Sequence, residues 1–554
     1  MKKRLLITSL LLTLCSCGGE TPNSNSNSIT SSYSSSSSLV PSSSSSQSST
    51  SSNTSNTNER EAVKVLNREL ECVLNDDSTG YIISKYNGKY DKYIIIPENF
   101  YGLYSTTKTI NGVEYDVYSG ESKFADGVLE LPIVGILDSA FVSAGGVVDI
   151  HIPDTCKFIG DSAFASCRTT ENYYVSDNHE VYKSVDGVLY TKDGESLFAY
   201  PLARRSKYEV VDGTKNILGG AFKTAYVSEV VLPESVENIE PYAFYMSNIT
   251  KVNIPSKIKT IKEYTFNTCN SLKEVVFSEG LETIGEYAFQ HCQLLSTFTF
   301  PSTLRELKTS AFEQILSIKH LVLNEGLETI GDFAFAYNEY TESITFPSTL
   351  KTIGKYAFMQ NYRMKELNLV EGIEELQEGS FFYNTALKKV IIPASLKTIG
   401  FKSFSTADYG VEEYIVSEQS DNFVVVDGIV FTKDMKELVI SPVINDFENG
   451  KYVVPEGVEK IGDHAFYNNQ SLRSIKFPST LKFIGRAPFY ITRLSTIEYN
   501  GTTSEFALIE SEDEIFTSSD SSETLAVKWY QTNENGAAVS IVTCTDGKYT
   551  LIQA

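Results

Sequence analysis

The nine residues "LETIGEYAF" at 281–289 return almost unchanged as "LETIGDFAF" at 327–335, and weaker copies recur along most of the chain. When the copies are aligned on their final phenylalanine, neighbours lie 22 or 23 residues apart, with two longer intervals. A fixed period of this length predicts a solenoid in which each copy is one coil. The aligned residues are Phe141, Phe164, Phe222, Phe244, Phe266, Phe289, Phe312, Phe335, Phe358, Phe381, Phe404, Phe466 and Phe489.

The pattern within one coil is clear in residues 272–295. Val275 and Phe277 alternate with an outward residue, which is typical of a short strand with one buried face. Ile284 and Phe289 then return the chain to the core, and the glycine after the isoleucine indicates a place where a side chain would hinder the backbone. We therefore expect parallel strands from successive coils and an internal column of phenylalanines. That column comprises Phe244, Phe266, Phe289, Phe312, Phe335, Phe358 and Phe381.

The repeat resembles that of the BspA-type leucine-rich repeat proteins of bacterial surfaces, L-x-x-[VI]-x-[ILF]-P-x-x-[LV]-x-x-I-G-x-x-A-F-x-x-C. The stretch "FPSTLKTIGKYAFMQNYRMKELNL" at 346–369 follows this pattern, with Asn361 in place of the last cysteine. The resemblance extends over residues 130–500. It implies a β-rich leucine-rich repeat solenoid, an extracellular location and, for several members, adhesion to host or matrix proteins or to other microbes.

Cysteine placement agrees with a repeat. Three of the eight cysteines, Cys167, Cys269 and Cys292, stand three residues after an aligned phenylalanine. Other coils have Asn, Ala, Ser, Thr or Ile there, which indicates a small buried site where Asn can bond to the turn backbone. We interpret these cysteines as core thiols rather than metal ligands or a disulfide framework. Cys269 and Cys292 would lie on adjacent coils, so a disulfide between them stays open in an oxidising compartment.

The first residues predict export. "MKKRLLITSLLLTLCSC" at 1–17 has a basic start and an apolar run too short for a permanent membrane span. Its end resembles a bacterial lipobox, which implies cleavage before Cys17 and lipid attachment to that residue. Cys15 fits less well because Leu14 would then precede the cleavage point, and an ordinary secretory signal is the alternative. We therefore expect a bacterial cell-surface protein that is lipid-anchored to a membrane outside the cytoplasm.

The remaining boundaries follow from composition and period. Residues 18–58 are nearly all Ser, Asn and Thr and are predicted to form a disordered tether. Residues 59–128 are interpreted as degenerate starting repeats that form an N-terminal cap, and 129–500 as the solenoid. Residues 501–554 lose the period and are interpreted as a C-terminal cap, in whose packing Trp529 and Cys544 take part.

The two long intervals share a second phrase, "VDGVLYTKDGESLFAYP" at 185–201 and "VDGIVFTKDMKELVISP" at 426–442. Each predicts two short strands around a tight turn, at 192–194 or 433–435. We interpret them as hairpins inserted near 175–210 and 416–452 and packed against the edge of the coil. A ligand-binding loop is the functional alternative.

Charge and motifs argue against several functions. The 47 Lys and Arg against 70 Asp and Glu give a formal net charge of −23, which disfavours nucleic acid as a partner. No nucleophile elbow or phosphate-binding glycine loop follows a predicted strand. We therefore predict that the protein is not an enzyme and uses no cofactor or metal, although two acids could converge from different coils. The histidines are scattered without helical metal-site spacing: His151, His179, His291, His320 and His464.

The predicted binding site is the outer side of the strands. In a leucine-rich solenoid the outward strand positions form one continuous concave face that many coils share. A merely solvated sheet face is the alternative for any single residue. The predicted ligand-binding residues are Lys251, Asn253, Glu274, Thr297, Thr299, His320, Ser343, Thr345, Glu366, Asn368 and Lys389.

The predicted function is therefore that of a cell-surface lipoprotein whose solenoid is a non-enzymatic protein-binding module for adhesion. Its partner would be an extracellular protein or glycan. One alternative is a structural envelope protein whose partners are identical chains. The other is an exported glycan-active enzyme, which would need two acids facing each other in a deep cleft.

Overall fold

The computed structural model describes residues 63–88, 93–110, 112–142, 144–165, 167–406, 410–445, 447–490, 492–494, 496–499 and, beyond these, 505, 508–511, 528–531, 540–545 and 548–553. The predicted signal peptide with Cys17 and the predicted tether lie outside the described residues.

The central part of the chain is a solenoid in which each coil, apart from the one at 297–307, contributes two short parallel strands. In one coil these are Lys251–Ile254 and Thr260–Ile261, which pair with Glu274–Phe277 and Thr283–Ile284 of the next coil. The longer strands form one side of the solenoid, called sheet A here, and the shorter strands form sheet B. The predicted solenoid and its parallel stacking are confirmed. The sequence pattern predicted one strand in each coil, followed by a return of the chain to the core. The short second strand at this return was not predicted.

The strands are numbered in chain order. The N-terminal part contains β1 (Val63–Lys64), a 3-10 turn (Asn67–Glu69), β2 (Leu70–Leu74), β3 (Tyr81–Tyr86), β4 (Tyr93–Ile95), β5 (Asn99–Ile110), β6 (Val113–Gly120) and β7 (Leu129–Ile136). The first coils and first insert contain β8 (Asp149–His151), β9 (Phe158–Ile159), β10 (Asn172–Tyr174), β11 (Tyr182–Val185), β12 (Val188–Thr191) and β13 (Ser196–Ala199).

The central coils contain β14 (Tyr208–Glu209), β15 (Asn216–Ile217), β16 (Glu229–Val231), β17 (Asn238–Ile239), β18 (Lys251–Ile254), β19 (Thr260–Ile261), β20 (Glu274–Phe277), β21 (Thr283–Ile284), β22 (Glu306–Leu307), β23 (His320–Val322), β24 (Thr329–Ile330), β25 (Ser343–Thr345), β26 (Thr352–Ile353), β27 (Glu366–Asn368), β28 (Glu375–Leu376), β29 (Lys389–Ile392), β30 (Thr398–Ile399) and β31 (Glu413–Val416). The second insert and last coils contain β32 (Phe423–Val426), β33 (Ile429–Thr432), β34 (Glu437–Ile440), a 3-10 turn (Glu448–Gly450), β35 (Lys451–Val453), β36 (Lys460–Ile461), β37 (Ser474–Phe477), β38 (Phe483–Ile484), β39 (Thr496–Tyr499), β40 (Glu510–Ser511), β41 (Lys528–Gln531), β42 (Ser540–Thr545) and β43 (Lys548–Gln553).

The phenylalanines form a stacked column inside the coils. From Phe222 to Phe404, successive ring centroids are between 4.7 and 5.9 Å apart and the ring planes lie within 17° of each other. The rings of this column are buried. Each ring therefore covers the apolar face of the next, and a single coil could not do this for itself.

The glycine after the sheet B isoleucine allows coils to approach closely. A Cβ on Gly285 would lie 2.7 Å from the Ile261 carbonyl oxygen of the preceding coil, and one on Gly354 would lie 2.6 Å from the Gly331 carbonyl carbon. Neither glycine has a left-handed φ. Glycine is therefore needed here because the neighbouring coil approaches closely, and not because the backbone is left-handed.

Sheet A is interrupted, which corrects the prediction of one continuous face. Strands β14, β16, β18 and β20 form one ladder, β23 and β25 a second, and β27, β29 and β31 a third. Residues 297–300 contribute only an isolated bridge between Glu274 and Thr297. Phe298 occupies the inward position that Val275 fills one coil earlier, and its ring stays partly exposed. We attribute the break between the first and second ladders to this larger side chain. Sheet B, by contrast, runs unbroken from β19 to β30.

The inserts are partitions inside the core rather than hairpins on its edge. Each contains three antiparallel strands, β11 to β13 or β32 to β34, instead of the predicted two. The middle strand is buried on both faces: Leu189 packs with the N-terminal apolar cluster, whereas Val188 and Tyr190 pack with the central one. The third strand of each insert then joins sheet B in parallel. The third strand of each insert therefore serves as the first sheet B strand of the coils that follow.

The N-terminal part is largely a closed antiparallel sheet, so the prediction of degenerate repeats over 59–128 is wrong for most of this region. Strands β3, β2, β6, β5 and β7 pair in that order, and β7 pairs back with β3. The Asn-Gly pair at 111–112 between β5 and β6 is a hairpin sequence. Only β1 and β4 belong to sheet A, where Ile94 pairs with Ile150.

Beyond the last regular coil, β40 extends sheet B and β41 extends sheet A, while β42 and β43 form an antiparallel pair. Trp529 lies in β41 and Cys544 in β42. The predicted packing of their side chains falls outside the described part of the chain.

Candidate functional site

The predicted binding residues lie on the outer side of sheet A and of the irregular segment at 297–300. None of the eleven is buried, whereas the residues that alternate with them along the strands point into the core. In β18, for example, Val252 and Ile254 are buried while Lys251 and Asn253 are partly exposed. This follows from the period of two in an extended strand.

Charged residues lie at both ends of this face. Lys251 forms an ion pair with Glu274 of the next coil at 2.8 Å, and this contact raises the pKa of the lysine. Toward the other end, Lys389 lies 3.7 Å from Glu413. Both pairs are solvent-exposed, so each stabilises the fold only slightly.

The outward strand positions in the middle of the face carry no Asp, Glu, Lys or Arg side chain. We call this region the central patch and define it as Thr297, Thr299, His320, Val322, Ser343 and Thr345. Its side chains are all exposed, and the Nδ1 atom of His320 lies 2.9 Å from the Ser343 hydroxyl of the next coil. The central patch presents hydroxyl, imidazole and methyl groups from three coils. It therefore differs from the rest of a chain whose formal net charge is −23.

A second surface feature escaped the sequence analysis. On the turn side, an aromatic residue two positions before the column phenylalanine stacks on its counterpart in the next coil. Tyr242, Tyr264 and Tyr287 have ring centroids 4.9 and 4.8 Å apart, and Phe333 and Tyr356 are 5.2 Å apart. All five have a left-handed φ. The recurring aromatic residue in "EYAF" and "KYAF" was the available signal.

The cysteine position is a hydrogen-bonding site. The Cys269 thiol donates to the Phe244 carbonyl at 3.0 Å, and the Cys292 thiol donates to the Phe266 carbonyl at 3.1 Å. Asn361 occupies the same position and donates to the Phe335 carbonyl at 3.1 Å. Both thiols are free and buried, and burial raises the pKa of Cys292 well above its usual value. The core-thiol interpretation is confirmed, and the two sulfurs are not joined in a disulfide.

Within the described residues, no three His, Cys, Asp or Glu side chains are grouped so that they could hold a metal ion. In the same part of the chain, no helix has the length and apolarity needed to cross a bilayer.

Solved structures of similar proteins come from bacterial leucine-rich repeat proteins. A leucine-rich cell surface protein from Faecalibacterium prausnitzii A2-165 is 18% identical, with 80% of this chain and 96% of that chain covered and a TM-score of 0.34. A leucine-rich repeat protein from Bacteroides ovatus ATCC 8483 is 19% identical, with 80% and 89% covered and a TM-score of 0.37. The pneumococcal vaccine antigen PcpA is 17% identical, with 64% and 93% covered and a TM-score of 0.23.

These identities and scores are low, so the family assignment comes from the repeat itself. A search of curated proteins finds no match. The family model described as "BspA type Leucine rich repeat region" matches in six copies, within residues 106–185, 194–319, 282–409 and 446–528. Since these matches span well over half of the chain, the protein belongs to the BspA-type leucine-rich repeat family.

Proposed function

We propose that this protein is a surface lipoprotein that binds an extracellular protein of a host, its matrix or another microbe through sheet A. Lipid on Cys17 anchors the chain in a membrane, and residues 18–58 form the tether that holds the solenoid away from the bilayer. The solenoid acts as a rigid binding surface and performs no chemistry.

The observation that supports this proposal is the central patch. Its side chains come from three successive coils, so one partner touches several coils at once. Val322 is 55% exposed although it is apolar, and its hydroxyl-bearing neighbours can donate and accept hydrogen bonds. Such a mixed surface without fixed charge is easier to desolvate against a protein than the charged ends of the face.

The test is a pair of substitutions within one coil. Thr345→Arg places a long charged side chain in the central patch, and Thr352→Arg places the same side chain on the outer side of sheet B. The full-length chain, displayed on bacteria, is assayed for binding to immobilised fibronectin, laminin, collagen and cells of neighbouring species. We expect binding to at least one of these, a loss of at least tenfold for Thr345→Arg, and no loss for Thr352→Arg.

Two results would overturn the proposal. One is equal binding by both variants, which would remove sheet A as the site. The other is concentration-dependent self-association of the wild-type chain that Thr345→Arg abolishes, because the partner would then be an identical chain.

The anchor has its own test. Cys17→Ser should remove labelling of the protein by radioactive palmitate and release it from the membrane fraction, whereas Cys15→Ser should leave both unchanged. Labelling that depends on Cys15, or that persists in both variants, contradicts the proposed anchor.

A further inference from the structure

Each insert leaves a cleft beside the coil that precedes it, and the two clefts are equivalent in position. The first has a volume of about 20 Å³ and is lined by residues that include Phe164, Phe198 and Tyr200. The second has a volume of about 130 Å³ and lies between residues 399–405 and residues 460–464. The second cleft is the larger because its insert carries smaller side chains there.

The aligned insert sequences show which side chains differ. Phe198 of the first insert corresponds to Val439 of the second, and Tyr200 corresponds to Ser441. Tyr200 extends the phenylalanine column, with its ring centroid 5.0 Å from that of Phe222. Ser441 has no ring to do this. A cavity needs only about 10–15 Å³ to hold one water, so the second cleft has room for a ligand of several heavy atoms.

One positive charge lies on the wall of the second cleft that Phe401 and Lys402 form. The Lys402 ammonium lies 4.6 Å from the centroid of the Phe401 ring, and the Arg486 guanidinium lies 5.1 Å from the same centroid. Within the described residues, no carboxylate lies within 4 Å of the Lys402 ammonium. The Lys402 ammonium belongs to a residue that lines the cavity, so it is the charge there that attracts an anion.

The acids that line the cleft are already engaged. Glu437 forms an ion pair with Lys460 at 2.9 Å. The Oδ1 atom of Asp463 accepts a hydrogen bond from the Arg486 backbone N–H at 2.6 Å. Neither of these contacts involves Lys402.

The interior end of the cleft contains a buried serine and histidine. The Ser405 hydroxyl lies 3.1 Å from Nδ1 of His464, and the two residues are 5% and 6% exposed. Burial, together with the charges of Lys402 and Arg486, lowers the pKa of His464 to about 3, so the imidazole is neutral at neutral pH. If the neutral ring carries its proton on Nδ1, it donates to Ser405 and leaves the serine hydroxyl free to donate elsewhere.

The insert also frees a backbone donor. In the regular coils the N–H of each column phenylalanine donates to a carbonyl of the next coil, as Phe381 does to Ser403 at 3.0 Å. At the insert, the N–H of Ser441 donates instead to the Ala465 carbonyl, at 2.7 Å. Phe404 is therefore left without a carbonyl acceptor among the described residues.

We propose that this second cleft binds a small oxyanion of the sulfate or phosphate class, with the Lys402 ammonium and the Ser405 hydroxyl as its main donors. His464 is a positioning residue that orients the hydroxyl. A four-oxygen anion can accept from several directions at once, which suits donors that come from different coils. The anion is either free in solution or an ester group on a larger ligand.

The experiment measures binding of sodium sulfate and sodium phosphate to the purified full-length chain by isothermal titration calorimetry at constant ionic strength. We expect saturable binding that Lys402→Met weakens at least tenfold. The matched control is Lys223→Met in the first cleft, where the ammonium donates to the Ser162 hydroxyl at 2.9 Å. That variant should bind like the wild type. Absence of saturable binding, or an equal loss in both lysine variants, overturns the proposal.

A second variant keeps the test valid if Lys402→Met unfolds. Val439→Phe copies the first insert and fills the cleft without changing any charge, so it should abolish binding while the thermal melting of the chain stays cooperative. Unchanged binding in this variant would place the anion elsewhere and overturn the proposal.

Glucose 6-sulfate and glucose separate the two sources of the anion. Binding of glucose 6-sulfate at the same site indicates an ester-bearing ligand, and binding of inorganic anions alone indicates a free ion. Both results support an oxyanion site. Equal binding of unsulfated glucose contradicts it.

Discussion

The Glu325 carboxylate is joined to Ser348 of the next coil by two hydrogen bonds, from the backbone N–H at 2.9 Å and from the hydroxyl at 3.0 Å. Glu279 and Ser302 make the same pair two coils earlier. The coils therefore alternate between an acceptor type with an "EG" turn and a donor type with a "PS" turn. This alternation explains why the closest copies of the repeated phrase are separated by two coils.

A row of charges along sheet B alternates in the same way. Neighbouring coils place opposite charges next to each other, and Glu282 with Lys259 and Glu374 with Lys397 approach to 3.2 and 2.6 Å. The row reads Lys259, Glu282, Arg305, Glu328, Lys351, Glu374 and Lys397. The structural repeat of this region is thus a pair of coils.

The first prediction concerns coil deletions. Removal of residues 324–346, one coil, joins two donor-type coils, leaves Ser348 without its carboxylate and places Arg305 beside Lys351. Removal of 301–346, two coils, brings Glu279 to Ser348 and Glu282 to Lys351. We expect the two-coil deletion to melt at a higher temperature than the one-coil deletion, measured by circular dichroism. If melting temperature depends only on the number of coils that remain, the alternation has no energetic role.

The second prediction concerns acid. Hydrogen bonds from Lys436 and Lys482 lower the pKa of Glu459 from 4.5 to about 2. Because the folded pKa lies below the unfolded one, the carboxylate stabilises the fold above about pH 4.5, and this contribution disappears as the pH falls toward 2. Urea unfolding of wild type and Glu459→Gln should therefore differ at pH 7 and converge near pH 2. A difference that is constant with pH would contradict the ion-pair explanation.

The third prediction concerns the column. Phe335 is buried between Phe312 and Phe358 at 5.5 and 5.4 Å, so Phe335→Ala should lower the free energy of unfolding by about 3–5 kcal/mol. Phe333→Ala, in the same coil, removes a half-buried ring on the turn side and should cost clearly less. Urea denaturation followed by circular dichroism compares the two. Equal losses of unfolding free energy in the two variants would mean that the inner column contributes no more to stability than the rings on the turn side.

The fourth prediction concerns the position three residues after the column phenylalanine. The Asn361 side-chain amide donates to the carbonyls of Phe335 and Phe358, and the Phe358 carbonyl also accepts from the Asn384 amide. Asn361→Ala should therefore cost about 1–3 kcal/mol by leaving the buried Phe335 carbonyl unpaired. Asn361→Cys keeps a donor, as at Cys292, and should cost less. Thermal melting of the two variants decides the point, and a cysteine variant as unstable as the alanine variant would remove the hydrogen-bond explanation.

Much of the solenoid was predictable because each coil must bury the same apolar positions. The alternation around Val252 and Ile254 and the return at Ile261 mark inward positions without reference to any other coil. The outward positions of the candidate site follow from the same period. The anion cleft was not predictable, because the insert separates Lys402 and His464 in the sequence, and each stands at the variable position two residues before a column phenylalanine.

By itself, the sequence determined the coil length, the inward column from Phe244 to Phe381 and the outward residues of sheet A, since a short period repeated many times dictates which side chains are buried. Only the tertiary structure decided that sheet A breaks at Phe298, that the inserts divide the core, and that the first strands close into a sheet of their own. The physical reason is that these features depend on which distant strand reaches an open edge and how well a side chain fits there. Neither is encoded in one coil.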